Sequence, residues 1–339
     1  MSTKAVTIRD IAAAAGVSAS TAFRALNEEH LVKHATRAKV LAAKRLLENE
    51  KALDSTKSSA ASLSVGIIMP VSTAQDIGRH PSMFVTLTSF LSELSNSNIS
   101  NTMLVFDETS MRAEDLLVHP VDGYLMIGTS MEQENMILPL LSHSGIPCVM
   151  VNRHAELPHI SCVKIDDMAA CADATRYLIS LGHTRIAYLG GLKSHQHSKR
   201  RLEGYLQAMN EAHLPVKDEW MVYGDYSETS GYIMGKTIAR LDVRPTAALC
   251  ASDTIAIGCM HAMKEKAISI PKDFSIVGFG DIESSRVVSP ALTTVAQPSV
   301  EVGTIAAKVM IQMIQMPIIL SQQLVLQTRM ILRDSTAAP

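Results

Sequence analysis

Apolar positions follow two different periods along this chain. Over residues 1–50 they recur every three or four positions: Ile8, Ile11, Ala12 and Ala15, then Ala22, Ala25 and Leu26, then Val40, Leu41 and Leu47. That spacing predicts three short helices, the third over about 33–48. From Ser64 onward the pattern changes to short β-rich runs: Val65–Met69, Met103–Phe106, Tyr124–Ile127, Cys148–Val151, Ile186–Leu189, Ala247–Cys250 and Ile276–Phe279. Helical stretches of roughly ten residues separate them, the signature of parallel βαβ units. The runs form two groups, parted near residues 160–185, which predicts two α/β lobes. Open parallel sheets bind ligands beyond the carboxyl ends of their strands, so the cleft between lobes is the expected site. Residues 51–63 (KALDSTKSSAASL) carry no Gly or Pro and little apolar content after Leu53; they read as a linker or a marginal helix. The expected domains are 1–50, a linker 51–63 and a body 64–339.

Composition narrows the class. The 339 residues suffice for two or three domains, 47% apolar content builds a large core, and 19% charged content argues against disorder. Residues 1–15 hold Arg9 and Asp10 and lack a secretory apolar core. The apolar runs are too short to span a bilayer. Five cysteines, with no CxxC spacing and one left over, fit buried thiols in a reducing compartment. The expectation is a cytoplasmic protein without membrane partners. The formal charge of −2 hides an asymmetry. Residues 1–47 carry eight basic and three acidic groups, so the head stands at +5 and the remainder at −7. A basic head on an acidic body implies a polyanion partner for the head alone.

The head sequence has its own logic. Thr7 caps the first helix, with Asp10 near its positive end. Gly16 permits a left-handed turn, Val17 plugs the space between helices, and Ser18 caps the second helix. The pattern A-x-x-x-G-V-S between two helices reads as a helix-turn-helix. Such a recognition helix enters the major groove by its N-terminal end. Ala19 and Ser20 then face base edges, and Arg24 meets a phosphate or an outer base. The candidate DNA contacts are Thr7, Ser18, Ala19, Ser20, Thr21, Phe23, Arg24, Asn27 and Arg37. Lys33, Lys39 and Lys44 serve phosphates or are simply solvated. Double-stranded operator DNA is the expected partner, read by a homodimer because half-sites come in pairs.

Thr7–Asn27 (T-I-R-D-I-A-A-A-A-G-V-S-A-S-T-A-F-R-A-L-N), followed by Thr36–Ala43, resembles the head of the lactose-repressor/galactose-repressor family. Phe23 departs, standing where the family usually has Ser. A second departure follows the third helix. The family's Gly-Tyr-x-Pro-Asn and a hinge helix with a minor-groove Leu are replaced by Glu48-Asn49-Glu50-Lys51, and no Leu occurs between Asp54 and Ser62. The apolar wedge that kinks DNA is therefore not carried over.

The resemblance continues through Val121–Ile127, Gly145–Arg153, Leu181–Gly191, Arg201–Tyr205, Arg244–Gly258, Ile270–Phe279, Pro290–Pro298 and Leu332–Thr336. It implies a periplasmic-binding-protein-like body with three crossing strands: an N-lobe of about 64–162 and 293–322, and a C-lobe of about 163–292 and 323–339. It also implies effector contacts at Arg201, Tyr226 and Asp253, with Arg153, Asp166 and Asp167 as weaker candidates. Arg201 competes with a helix-surface salt bridge, Asp253 with a helix cap, and Tyr226 with a core tyrosine. Gly280 stands where the family has a ligand-binding Asp. Its loss makes the pocket around Arg201 more positive and suits an anion. The implied effector is a sugar, sugar acid or sugar phosphate. Val71–Met83, with Arg79 and His80, is a further source of cations, or a solvated loop.

Other signals are set aside. Gly190–Ser194 lacks phosphate-loop spacing. His195 and His197 read as a loop pair rather than a metal site, and Met310–Met316 as core or subunit interface. No catalytic constellation, metal site or cofactor is expected. The sequence therefore predicts a DNA-binding regulator, most simply a repressor, rather than an enzyme. The alternative is a ligand-binding module with a vestigial head.

Overall fold

The computed structural model describes residues 7–27, 32–33, 36–44, 63–70, 80–106, 115, 118–153, 155, 157–316 and 321–339. Residues 51–62 of the linker, with the missing Leu, and Arg79 lie outside these residues.

The head consists of α1 (Ile8–Ala15), α2 (Ala19–Asn27) and α3 (residues 36–44). Thr7 and Asp10 form a reciprocal cap at the start of α1, and Gly16 ends it in the left-handed conformation at φ 64°. Ser18 Oγ accepts the Thr21 N–H at 3.1 Å and so caps α2. Ile11, Ala12, Ala22, Ala25, Val40 and Ala43 close a small core, with Val17 packed against it. Small side chains let the three helices approach.

The body is two six-stranded sheets. The first runs β2 (Ser100–Phe106), β1 (Ser64–Pro70), β3 (Gly123–Met126), β4 (Cys148–Val151), β5 (Ile160–Ile165), β11 (Gln323–Leu326), all parallel. The second runs β7 (Met221–Tyr223), β6 (Ile186–Gly190), β8 (Ala247–Cys250), β9 (Ser275–Gly280), β10 (Thr293–Ala296), β12 (Arg329–Ile331), with only β12 antiparallel. In the first lobe α4 (Pro81–Asn96), α5 (Met131–Ser144) and α11 (Ser299–Gln315) accompany the sheet. In the second are α6 (Asp167–Ser180), α7 (Gln196–Glu211), α8 (Glu228–Ala239), α9 (Asp253–Glu265) and the short α10 (Glu283–Val287). The cores are dominated by fully buried Tyr124 and Phe90 in the first lobe and Tyr188, Tyr205, Trp220 and Phe274 in the second. All five cysteines are buried and free. Met310 and Met313 of the methionine-rich stretch are core, whereas Met316 is exposed.

The chain crosses between lobes three times, each crossing a few residues later than the sequence suggests. β5 extends to Ile165 in the first sheet, and β10 at 293–296 belongs to the second sheet rather than the first. β11 at 323–326 belongs to the first sheet rather than the second. The shift has a local cause. The threonines of β10 look polar, but Thr293 N–H donates to Ser335 Oγ at 2.8 Å and its hydroxyl accepts the Arg333 N–H at 3.0 Å, so they bury satisfied.

Candidate functional site

The outer face of α2 carries Ala19, Ser20, Phe23, Arg24 and Asn27, all exposed, with Phe23 at 46%. Ser18 and Thr21 hydroxyls lie 2.7 Å apart and Ser18 and Ser20 hydroxyls 3.0 Å apart, clustering at the helix N-terminus. That end, with its unpaired N–H groups, favours anions. Asn27 bonds back to the Phe23 carbonyl at 3.0 Å. Arg37 donates its Nε to the Ala25 carbonyl at 3.3 Å and so tethers α3 to the end of α2. Thr7 is held by Asp10, its hydroxyl donating at 2.8 Å.

The second site is the cleft between lobes, about 900 Å³ including space open to solvent. Arg153, Arg201, Tyr226 and Asp253 all line it, together with Asn152, His80, His195, His197, Phe279 and Gln297.

Arg201 is placed by helix packing. Gly204, one turn further along α7, faces the backbone of α6: a Cβ there would sit 2.1 Å from the Met168 carbonyl. The close approach brings Arg201 onto Asp167 at the start of α6, Nε to Oδ1 at 2.7 Å. Nη1 donates to the Ala251 carbonyl at 2.6 Å, and the guanidinium stacks on Phe279 at 3.8 Å. The pair is buried, not a helix-surface bridge. Burial pushes the Asp167 carboxyl above its ordinary range, and Arg201 works against that. The expectation that the missing carboxylate at Gly280 frees Arg201 is thus corrected: Asp167 already neutralises it. Asp166, by contrast, is exposed and caps α6 through the Ala169 N–H at 3.1 Å. It lines a side groove rather than the cleft, because a one-residue step at a helix start turns the side chain to the other side.

Asp253 is not a free ligand-binding acid, nor the cap of α9, which is Ser252. One carboxylate oxygen accepts the Thr294 hydroxyl and the other the Ile282 N–H at 2.9 Å, so Asp253 pins the loop after β9. Burial pushes its pKa up to about 6. Gly280, beside it, has φ 139°, where an L-residue is strained, and an added Cβ would meet Ser82 Oγ at 3.2 Å. Asp281 is engaged by Arg333 and Arg286.

Arg153 is buried and bonded to protein through all three of its nitrogens. Nε donates to Glu134, Nη2 to the Thr129 carbonyl at 2.7 Å, and Nη1 to the Asn152 carbonyl at 3.1 Å and to His197 Nδ1 at 2.7 Å. These four bonds use four of its five N–H groups, so it braces the cleft wall. Tyr226 is 5% exposed and adopts φ 68°. Its hydroxyl is 2.6 Å from Ser198 Oγ, and its ring meets those of His80 and His197 at 5.9 and 5.6 Å.

The histidines are what sequence reading missed. His195 precedes α7 and His197 sits in its first turn, both in the cleft wall. Burial, with Arg153 nearby, lowers His195 to about 4 and holds His197 well below the ordinary imidazole range. The pairing of His197 with a residue 44 positions away leaves no local signal. Among the described residues no group of three or more His, Cys, Asp or Glu side chains is arranged to hold a metal.

Comparison with known proteins matches both parts of the chain. Residues 7–48 match the bacterial regulatory proteins of the lacI family, and residues 175–336 match the periplasmic binding protein-like domain. The HTH-type transcriptional repressor PurR of Actinobacillus pleuropneumoniae is 31% identical over 315 residues, 91% of each chain. The probable HTH-type transcriptional repressor ExuR of Bacillus subtilis is 29% identical over 335 residues, 97% of this chain and 98% of that one. The transcriptional regulator CelR in its cellobiose complex has the same fold, with a TM-score of 0.73 at 24% identity over 98% of this chain and 100% of that one. Matched in its head and along nearly its whole length to repressors, the chain belongs to the lacI family of bacterial regulatory proteins.

Proposed function

We propose that this chain represses transcription by binding operator DNA through its head, under the control of a small sugar-like effector held in the cleft. The observation that carries the reading is the combination in one chain of an intact helix-turn-helix, its outer face exposed, with a two-lobed cleft lined by buried polar groups. A vestigial head would have no reason to keep the cap at Ser18, the left-handed Gly16 and an uncovered outer face on α2. Direct DNA contacts fall to Ala19, Ser20, Phe23 and Arg24, with Ser18 and Thr21 at a phosphate. Paired half-sites call for a homodimer. The relatives are regulators, and the reading assigns no catalytic step. Among the described residues no helix is long and apolar enough to cross a membrane.

The test is binding to the DNA upstream of its own gene against scrambled DNA of equal length. Specific binding that weakens steeply between about 50 and 200 mM salt is expected. Equal affinity for both DNAs at low salt would remove the repressor reading.

A further inference from the structure

Resting on the reading of the head as an operator-binding module, we propose that Phe23 determines part of the operator sequence. Its ring takes the C5-methyl group of a pyrimidine, a thymine in ordinary DNA, in the major groove of each half-site.

The exposed positions of α2 are Ala19, Ser20, Phe23, Arg24 and Asn27, whereas Ala22 and Ala25 are buried and Leu26 packs against the head core. At about 100° per residue, Phe23 lies about 40° round the helix from Ala19, Asn27 about 80°, Ser20 about 100° and Arg24 about 140°. Phe23 is therefore inside the exposed face and Arg24 at its edge. The side chains around Phe23 reach out little. Ala19 ends at its Cβ. The Ser20 hydroxyl lies 3.0 Å from that of Ser18, back at the helix start. The Asn27 amide donates to the Phe23 carbonyl at 3.0 Å. A surface laid on this face meets the phenyl ring first. The ring is 46% exposed and takes no part in the core of Ile11, Ala12, Ala22, Ala25, Val40 and Ala43.

The surroundings choose the occupant. Residues 1–47 carry eight basic and three acidic groups. The hydroxyls of Ser18, Ser20 and Thr21 cluster at the N-terminus of α2, where phosphate is favoured. These groups fit a polyanionic duplex rather than an apolar protein face. Within the duplex, phosphates and the polar base edges would lose hydration under a phenyl ring and gain no hydrogen bond in return. The thymine methyl is the apolar group that the major groove displays, and Phe is among the side chains that meet it. Cytosine presents an amino donor and no methyl, so the same contact rejects a C·G pair. 5-Methylcytosine shares the methyl.

The test uses the full chain and the operator located by footprinting upstream of its own gene. Each thymine of a half-site is replaced in turn by deoxyuridine, which removes the methyl alone, and affinity is read by fluorescence anisotropy. At one thymine per half-site, wild type is expected to bind about fourfold more weakly per methyl lost. Phe23→Ala is expected to bind the ordinary operator more weakly and to stop distinguishing uracil from thymine there. Phe23→Leu, still apolar, keeps part of the discrimination. Replacing that T·A pair by C·G weakens wild type further, and 5-methylcytosine in the same place restores part of the loss. The far-UV circular dichroism of Phe23→Ala is expected to match wild type, since the ring lies outside the core. Wild type indifferent to uracil at every thymine, or a uracil effect as large in Phe23→Ala as in wild type, would overturn the proposal. Equal weakening of both DNAs by Phe23→Ala would also overturn it, placing the ring on a sugar-phosphate strand or the partner subunit. Absence of any specific site removes the repressor reading and this proposal together, whereas a specific site blind to its thymine methyls removes this proposal alone.

Discussion

Arg201→Met tests whether the cleft floor is an ion pair under real burial. The substitution removes the donor to Asp167 at 2.7 Å, the donor to the Ala251 carbonyl and the cation stacked on Phe279, while roughly keeping side-chain length. Both partners are under a tenth exposed, so solvent does not rescue the orphaned carboxylate. Removing one member of such a pair costs about 3–5 kcal/mol, mostly from the charge left behind. For a body of this size that is a fall of roughly 10 °C in melting temperature. The pH dependence has a definite sign. Without Arg201 the Asp167 carboxyl moves further above its unfolded value. The native state then holds a proton that the unfolded state has lost, so stability falls as pH rises through that window. The deficit against wild type should be larger at pH 8 than at pH 5. Arg201→Met/Asp167→Asn removes the charge and should recover about half of the loss. Urea titrations of the three proteins at both pH values measure all of this. A single variant as stable as wild type, or a double variant no better than the single, would refute the buried pair.

Four further outcomes are expected. Arg24→Ala should weaken specific operator binding by about 1–3 kcal/mol if the guanidinium forks onto a base, which a gel-shift titration reads. Because residues 54–62 contain no Leu, circular-permutation assays should find little bending at the operator centre; a sharp bend would assign the wedge to Leu53 or Leu63. Gly280→Ala and Gly280→Asp should both destabilise the protein by about 1–3 kcal/mol of backbone strain, seen as a lower melting temperature, with Asp the worse because it stands beside Asp253. Asp253 has a native pKa raised to about 6, so it contributes a loss of stability as pH rises from about 4 to 6, on the order of 3 kcal/mol. Asp253→Asn should flatten that slope in denaturation curves, whatever its effect on absolute stability.

How much of this was legible depends on how local the signal is. The seven apolar runs all became strands, and the head followed from Gly16, Ser18 and the small residues around them. Four of the five strands missed were polar or at sheet edges; the fifth, β5, is buried and apolar but lies in the stretch read as the boundary between the two groups of runs. β10 is half threonine, and β11 alternates exposed and half-buried positions because it borders the first sheet. At the site, Arg201, Tyr226 and Asp253 were placed by resemblance, but their partners were not. Whether Asp166 or Asp167 meets Arg201 turns on where a helix begins, to within one residue. The His197–Arg153 bond joins two lobes and depends on tertiary closure that no window of sequence contains.

The triple crossing has a consequence for how the protein is made. The first lobe to be started is not finished until almost the whole chain is made, since its sheet awaits β11 and its helical layer awaits α11. The second lobe needs Ser335 and Ala337, which bond to Ile276 and Ser275. The head, whose core spans only Ile11 to Ala43, is complete within the first few dozen residues to leave the ribosome. A message cut short anywhere in its last quarter therefore yields a folded head on a body that cannot close. Such a fragment could still touch DNA but could not answer to any effector.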